Sequence, residues 1–504
     1  MLNWIKKKID DITMPDTMLS EEDRDKKKVS KSINYNVNYV KSKLGESFDI
    51  VYKSSEIDGS KAMFIMADGM CNNLLVTQQV VRPVLENKNY PSDAGEKMKY
   101  IRDEVAAGID QKETDELDEV IKNIVSGLVI LFIDGVSFCE CFGVQGFPKR
   151  SISDSKTEVQ ERGGHEAFIE SFKDNVALIR KRIRSPYLRF EIEEVGKTSM
   201  TRICICYMED RVSKDILKSV KKNIKKAELD VVLGTGYLRP FLDSDNTSIF
   251  SSVGTTERPD VACAEIAEGR VVVIIDGTPF ALIAPYLFVE NFHSMDDYNY
   301  RPFYATFCRG LRYISFFISM FLPGIYVAIC TFHQEMLPTA MIYDMAVSES
   351  ITPMPVMVEA IIIHIVYEIV REAGLRMPKE IGPAVSIVGA LVIGDAAVNA
   401  GFIAAPMVII VALTAISAFV VSKIHQPIAV LRFLFMIIGG YAGFYGLVLS
   451  FGAILINICS MGVYKTPFMA PIAPFSFGGL RDGFIRVSWK ILGKREMQIQ
   501  KMNK

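Results

Sequence analysis

Tyr313 to Phe332 is an uncharged run of 20 residues, YISFFISMFLPGIYVAICTF. An α-helix rises about 1.5 Å per residue, so this run is long enough to cross a hydrocarbon core about 30 Å thick. Arg301, Arg309 and Arg312 precede it, whereas residues 333–353 contain no Lys or Arg. The positive-inside rule therefore predicts a membrane-spanning helix whose N-terminal side lies in the cytoplasm.

The next apolar segment, residues 354–370, is polar for a membrane helix because it carries Glu359, His364 and Glu368. The basic residues that follow it mark a return to the cytoplasm, so the segment is expected to cross or dip through the bilayer. Charged groups are costly in lipid. We therefore expect these three intramembrane polar side chains to face protein or water.

Two longer apolar segments follow. Residues 381–422 contain one charge, Asp395, followed by the turn-like AAVNAG, which predicts two spans. Residues 433–464 contain 32 uncharged residues, which is long for one span and short for two. Basic residues flank this segment on both sides, which predicts a tight hairpin with both ends in the cytoplasm. The sequence thus predicts about five to six membrane segments.

The chain before these spans alternates strand-like and helical runs, which is typical of mixed α/β architecture. Three apolar runs end in Asp-Gly, a pair that favours tight turns, and each is expected to close a hairpin: Asp68-Gly69, Asp134-Gly135 and Asp276-Gly277. This repetition suggests two related subdomains. The predicted fold class is a soluble α/β N-terminal region with two subdomains, followed by an all-α polytopic membrane domain.

Composition gives the predicted domain boundaries. Residues 1–47 are predicted to be a polar N-terminal tail, 48–300 a soluble cytoplasmic α/β region, 301–464 the multi-pass transmembrane domain and 465–504 a basic cytoplasmic C-terminal tail. The N-terminus has no long apolar stretch after its first lysines, so a secretory signal is not expected.

Several function classes are excluded by composition and motif. The net charge is −2, so no overall basic field indicates nucleic acid as a partner. The stretch VLGTGYL lacks the third glycine of a dinucleotide-binding loop, and no Walker, zinc-protease or nucleophile-elbow motif occurs. We therefore predict no catalytic residue, no cofactor, no metal site and no enzyme activity.

Arg258 and Asp260 flank Pro259 in the motif TERPD, next to the predicted strand VVVII. We predict that they are coupling residues, which brace a rigid corner between the soluble and membrane regions. The alternative is a local salt bridge without any role in coupling.

Five blocks in register resemble the A subunits of GerA-type spore germinant receptors. In chain order they are RGGHEAFIESFKDNVALIRKRI (162–183), TERPDVACAEIAEGRVVVIIDGTPFALIAP (256–285), LPGIYVAICTFHQEMLPT (322–339), EIVREAGLRMP (368–378) and VSIVGALVIGDAAV (385–398). The resemblance extends from about residue 48 to residue 477, and long blocks in one order are more specific than a short motif.

The resemblance implies a nutrient receptor in the inner membrane of a bacterial endospore, with the N-terminal region in the cytoplasm, that triggers germination. It implies a permease-like B subunit and a lipoprotein C subunit as partners, and a homo-oligomer, a pentamer, that forms a nutrient-gated ion channel in the lipid bilayer. Two segments depart from the family pattern: Asp395 stands where an uncharged glutamine is expected, and residues 345–355 lack the usual arginine.

For such a channel, the helix at residues 385–398 is the predicted pore lining. Small or apolar residues recur there at helical spacing, and an acid and an amide lie near its outer end: Ser386, Ala390, Ile393, Ala397, Asp395 and Asn399. Close packing of membrane helices also explains small residues, so packing is the alternative. Two other functions stay open, namely a secondary transporter with Glu359, His364 and Asp395 as a relay, and an auxiliary protein like stage V sporulation AF.

Overall fold

The computed structural model describes residues 27–146, 155, 158, 160–243, 248–377, 392, 394–464, 466–475, 480 and 482–492. The chain forms two compact units. One comprises Met1–Arg150 and Val176–Glu191, and the other comprises Ser151–Asn175 and Ile192–Lys504. The second unit contains both a sheet and the apolar helices, so the predicted boundaries at residues 300 and 464 stay predictions.

The first unit contains a five-stranded antiparallel sheet in the order β1-β2-β4-β5-β3. Its strands are β1 (Ile50–Ile57), β2 (Ser60–Ala67), β3 (Gln111–Thr114), β4 (Val129–Ile133) and β5 (Cys139–Phe142). The helices are α1 (Ile33–Leu44), α2 (Asn73–Leu75), α3 (Arg82–Glu86), α4 (Ala94–Tyr100) and α5 (Leu117–Val125), with π-helical turns at Val76–Val81 and Ile101–Val105. Apolar residues of α5 recur every three or four positions and are buried, as expected for a helix that covers a sheet.

The second sheet repeats this strand order as β6-β7-β9-β10-β8. Its strands are β6 (Leu188–Val195), β7 (Thr201–Met208), β8 (Gly254–Thr256), β9 (Val271–Ile275) and β10 (Ala281–Ala284). The helices between and after its strands are α7 (Lys214–Lys225), α8 (Thr235–Leu242) and α9 (Pro259–Ala267), and α6 (Phe172–Arg182) precedes β6 in the chain. Two antiparallel sheets in an α/β N-terminal region confirm the predicted fold class.

The Asp-Gly turns are only partly as predicted. Asp134-Gly135 and Asp276-Gly277 each lie between two antiparallel strands, β4–β5 and β9–β10. The prediction for Asp68-Gly69 is wrong, because that pair leads from β2 into α2. The β1–β2 hairpin instead turns at Asp58-Gly59, where both residues have positive φ values of 44° and 78°.

The predicted polar N-terminal tail contains α1, which belongs to the core of the first unit. Val37, Val40 and Leu44 of this helix are buried among residues of the first sheet. They recur at helical spacing, which forms one narrow apolar face in an otherwise polar segment. The description of residues 33–44 as a tail is therefore corrected.

The rest of the second unit is helical. It contains a 3-10 helix at Phe288–Phe292, α10 (Asp296–Asn299), α11 (Pro302–Phe332), a 3-10 helix at Gln334–Met336, α12 (Thr339–Ile351), α13 (Val356–Arg376), α14 (Ala405–Val420), a 3-10 helix at Ser422–Ile424, α15 (His425–Ser460), the short strands β11 (Gly462–Val463) and β12 (Thr466–Pro467), and α16 (Trp489–Leu492). Residues 394–399 are also helical.

Among the described residues, Pro302–Phe332 and Ser422–Ser460 are long and apolar enough to cross a membrane. The pair α12 and α13, bent by 73°, makes a third candidate if it forms one span, and α14 is a shorter apolar helix. Most of the first predicted span within residues 381–422 lies outside the described residues. The number of five to six segments therefore stays a prediction.

α15 reverses its direction at Gly443, whose φ of 58° and ψ of −151° are not helical. The ring of Phe321 on α11 lies 4.3 Å from the ring of Phe435 and 5.2 Å from that of Phe451. Phe435 and Phe451 are 16 positions apart, which in a straight helix would separate them by about 24 Å. The ring of Phe321 can therefore contact both rings only if α15 folds back on itself. This agrees with the hairpin predicted within residues 433–464.

Candidate functional site

A short connection, residues 285–301, joins the second sheet to α11. Phe288 on this connection donates its N–H to the carbonyl of Phe468 over 3.0 Å. Its ring meets the rings of four other phenylalanines edge-on, at centroid distances of 5.4 to 6.0 Å: Phe250, Phe292, Phe316 and Phe468. Such pairs stabilise beyond the burial of their area, so the rings fix the connection to the base of α11.

Asp297 on α10 is the centre of a buried ion-pair network. Arg309 Nε donates to its Oδ2 over 2.9 Å, and Arg312 donates to Oδ2 and Oδ1 over 2.7 and 2.9 Å. Both arginines lie in the first turns of α11. Burial alone would raise the pKa of Asp297, but hydrogen bonds and positive charge from Arg312 and Arg309 hold it below its ordinary value. The connection and α11 are thus tied by charge as well as by aromatic contacts.

The same network includes the segment predicted to be a basic C-terminal tail. Arg309 Nη1 lies 3.0 Å from Asp482 Oδ1, and Tyr298 donates its hydroxyl to Asp482 over 2.9 Å. The guanidinium of Arg486 lies 4.8 Å from the ring centroids of both Tyr298 and Trp489. Residues 482–489 therefore pack against the start of α11, and the assignment of residues 465–504 to a basic cytoplasmic C-terminal tail stays a prediction.

Arg258 and Asp260, the predicted coupling residues, form a bidentate pair with distances of 3.0 and 2.7 Å. Arg258 is 1% exposed, and the same guanidinium donates to Gln160 Oε1 over 2.7 Å and to the carbonyl of Gly164 over 2.5 Å. The pair is therefore a buried salt bridge whose arginine also holds Gln160 and Gly164, and its role in coupling stays a prediction.

The segment at residues 158–164 reaches the helical region at two places. Glu158 Oε1 lies 3.8 Å from Lys423 Nζ, in the turn between α14 and α15. The backbone N–H of Arg162 donates to Asp296 over 3.2 Å, and its carbonyl accepts from Asn299 over 2.7 Å. Arg258 thus lies at the base of a chain of contacts that ends on α10 and on the α14–α15 turn.

A second buried arginine, Arg270, is surrounded by Glu265, Glu268 and Glu290. Glu290 belongs to the 3-10 helix of the connection. Its carboxylate accepts a hydrogen bond from the backbone N–H of Leu287 over 2.9 Å. Burial raises the pKa of both Glu268 and Glu290 to about 8, although Arg270 opposes the shift. Three carboxylates and one guanidinium leave excess negative charge unless protons bind.

The three predicted intramembrane polar residues lie along α13. Glu359 is 1% exposed and His364 is fully buried. Glu368 Oε1 lies 3.2 Å from Arg432 Nη1, and Arg432 Nε donates to the carbonyl of Ser319 over 2.9 Å. Arg432 thereby links α13 to α11 and α15. The functional roles of the three residues stay predictions.

The predicted pore-lining residues are only partly described. Ser386, Ala390 and Ile393 lie outside the described residues. Asp395 and Asn399 are exposed in the single chain, and Ala397 is partly buried. The structure thus leaves the acid and the amide free to face water or another copy, and the pore assignment stays a prediction.

In the sequence, Arg309 and Arg432, the basic residue directly before the segment 433–464, indicate only the cytoplasmic side of the membrane. Both are fully buried and hold ion pairs between elements. A signal was present, because an arginine inside a long apolar helix is costly without a partner. Their partners were not predictable from spacing, since Asp482 lies 173 positions from Arg309.

Comparison with known proteins identifies a family and several relatives. A family model for the Bacillus/Clostridium GerA spore germination protein matches residues 38–498. Spore germination protein KA of Bacillus subtilis (strain 168) is 36% identical over 481 residues, which cover 94% of this chain and 88% of that protein. The uncharacterized membrane protein YfkQ of the same organism is 32% identical over 477 residues, which cover 94% of this chain and 92% of that protein.

One solved structure is similar to the N-terminal half. The crystal structure of the N-terminal domain of the A subunit of the Bacillus megaterium spore germinant receptor GerK3 matches with a TM-score of 0.42 and 24% sequence identity. The match covers 53% of this chain and 99% of that chain.

Proposed function

The chain belongs to the GerA spore germination family of Bacillus and Clostridium, and on that premise we propose that it is the A subunit of a nutrient germinant receptor. Binding of a nutrient to the receptor triggers germination of the spore. The receptor includes a permease-like B subunit and a lipoprotein C subunit, and it resides in the inner spore membrane with the two sheets on the cytoplasmic side.

Within this receptor the chain assembles as a homo-oligomer, a pentamer, that conducts ions. The support comes from two features of the helical region. It contains helices long and apolar enough to cross a membrane, and Asp395 and Asn399 are exposed in one copy. A symmetric ring of Asp395 carboxylates would attract cations to a water-filled path.

The observation that carries the proposal is the buried network around Asp297. It ties the connection from the second sheet to α11 through Arg309 and Arg312, and ties both to Asp482. Buried ion pairs are costly to break. A displacement of the connection therefore moves the first turns of α11 with it, because separating the charges would cost more free energy. Arg258 and Asp260 extend this coupling to the α14–α15 turn through Glu158.

A test uses spores of an organism that carries this chain. Deletion of its gene is expected to abolish germination in response to at least one nutrient in a panel of amino acids, sugars and nucleosides. Reintroduction of the parent chain restores the response. An unchanged response to every nutrient would contradict the receptor role and favour an auxiliary function like that of stage V sporulation AF.

A secondary transporter is the second candidate, because Glu359 and His364 are buried ionisable groups on one apolar helix. Carriers move substrate without unitary currents, whereas channels produce them. Recordings from reconstituted protein therefore separate the two functions.

A further inference from the structure

The exposed face of α7 carries a row of lysines. Residues 214–226 contain six lysines and one acid, Asp215. Four of these lysines are exposed and follow one another at intervals of four positions, so they lie along one ridge of the helix. This lysine row consists of Lys214, Lys218, Lys222 and Lys226. With a rise of about 1.5 Å per residue, the row extends over about 18 Å.

The other two lysines of α7 have partners on the second sheet. Lys225 Nζ lies 3.9 Å from Glu193 Oε1 on β6, and Lys221 Nζ lies 5.9 Å from the ring centroid of Tyr207 on β7. None of the described residues forms an ion pair with a member of the lysine row. Like charges four positions apart destabilise a helix. The row therefore lowers the stability of α7 unless anions from outside the chain approach it.

The buried side of α7 places this helix near the end of α15. Its buried residues belong to the apolar core between the second sheet and its helices, and Tyr464 packs against the same core. Tyr464 also donates its hydroxyl to the carbonyl of Leu242, the last residue of α8, over 2.5 Å. Tyr464 follows Ser460, the end of a helix long and apolar enough to cross a membrane, by four positions. Four residues extend at most about 14 Å, so the core beneath α7 begins within that distance of α15.

A second contact holds the same layer of helices against α15. Ser248, six positions after the end of α8, donates its hydroxyl to Asn457 Oδ1 over 3.1 Å. Asn457 lies in the last turn of α15. The helices that cover the second sheet are thus attached at two points to the end of an apolar helix.

An extended anionic surface is the partner that fits the lysine row. A single small anion would reach only one or two of four charges spread over about 18 Å. Clusters of about four to eight basic residues on amphipathic helices, or next to membrane helices, are typical of binding to anionic lipids. This attraction falls off within a Debye length of about 10 Å, so it requires a helix held close to the bilayer. A nucleic-acid duplex is also extended and anionic, but the contacts of Tyr464 and Ser248 place the layer beside α15 and hence beside lipid.

We propose that the lysine row binds the anionic phospholipid headgroups of the membrane that α15 enters. The contact holds the second sheet against the bilayer surface. It requires only that α15 lies in the membrane, and it is independent of the receptor and channel functions.

The test uses the full-length protein in nanodiscs of two compositions, one of phosphatidylcholine alone and one of phosphatidylcholine mixed with anionic phosphatidylglycerol. Brief acetylation followed by mass spectrometry measures the reactivity of each lysine. We expect the lysine row to react roughly fivefold more slowly in the anionic nanodisc. Lys53 and Lys88, exposed lysines of the first unit, are the internal reference and should react equally in both nanodiscs. Raising the salt from about 0.1 M to about 1 M shortens the Debye length to about 3 Å and should remove the difference.

A charge reversal separates the row from net charge. In Lys218→Glu/Lys222→Glu, the remaining Lys214 and Lys226 should react at the same rate in both nanodiscs. Lys53→Glu/Lys88→Glu changes the net charge by the same amount and should leave the slow reaction of the row intact. If the row variant does not fold, the parent in the two nanodiscs decides alone.

Three results would overturn the proposal. One is an equal reaction rate of the row in both nanodiscs of the parent, and another is an equal slowing of Lys53, Lys88 and the row. The third is slow reaction caused by an added DNA duplex but not by phosphatidylglycerol, which would assign the row to nucleic acid. Loss of the slow reaction in both double variants alike would show that net charge, rather than the row, attracts the lipid, and would also contradict the assignment.

Discussion

Arg309 donates a hydrogen bond to the carboxylate of Asp297 over 2.9 Å, and neither side chain is exposed. Asp297 belongs to the connection that leaves the second sheet, and Arg309 belongs to the first turns of α11. A rotation of the connection relative to the helix must therefore separate two buried opposite charges. The pair is therefore a mechanical link between the connection and the first turns of α11.

We expect Asp297→Asn to destabilise the protein by about 3–5 kcal/mol, because Arg309 and Arg312 lose a buried negative partner. The free energy of unfolding in detergent measures the loss. The matched control is Glu86→Gln, which removes an exposed pair with Arg82 and is expected to change stability by less than about 1 kcal/mol. Equal effects of the two substitutions would contradict a structural role for the network.

Arg258→Ala is expected to free the segment at residues 158–164, because it removes the guanidinium that holds Gln160 and Gly164. Faster amide hydrogen exchange in residues 160–168 would measure this release, together with a weaker nutrient response of spores. Arg202→Ala is the control, since Arg202 lies in an exposed pair 3.8 Å from Glu194. Normal assembly and normal nutrient response in Arg258→Ala would reduce the pair to a local salt bridge.

The stability of the protein is expected to fall as the pH rises from about 4.5 to about 8. The pKa of Glu268 and of Glu290 is raised from 4.5 to about 8 in the folded chain, so between these values the folded state binds more protons than the unfolded state. Raising the pH through this window removes those protons and the stability that they provide.

Glu290→Gln, which resembles the neutral acid, should flatten this dependence of the melting temperature on pH, whereas the exposed Glu228→Gln should leave it unchanged. A melting temperature that rises with pH, or an identical slope in Glu290→Gln, would show that the Arg270 cluster does not titrate as described.

A soluble fragment of residues 27–300 is expected to be more stable than one of residues 48–300, by several kcal/mol. The longer fragment retains α1, and each buried apolar side chain contributes about 1.5–3 kcal/mol. Val40→Ala in the longer fragment should remove part of the gain, whereas Asn38→Ala, on the exposed face, should not. Equal unfolding midpoints for the two fragments would show that α1 is dispensable.

The sequence predicted those features that depend on local pattern. Alternating runs indicated the sheets, and charge-free length together with flanking basic residues indicated the apolar helices and the reversal at Gly443. The burial of α1 in the core was missed because Val37, Val40 and Leu44 form only a narrow apolar stripe among polar residues. The contacts of Arg309 were missed for another reason, since burial of a charge depends on partners far apart in sequence.

Conduction of ions past Asp395 can be measured by current recording. The receptor, purified with its partner subunits and reconstituted in planar bilayers, is expected to give unitary currents on nutrient addition. The cation-to-anion permeability ratio should be lower in Asp395→Asn than in the parent and lower still in Asp395→Lys, because the ring of negative charge is removed and then reversed. The absence of unitary currents, or the same permeability ratio in all three proteins, would contradict the account.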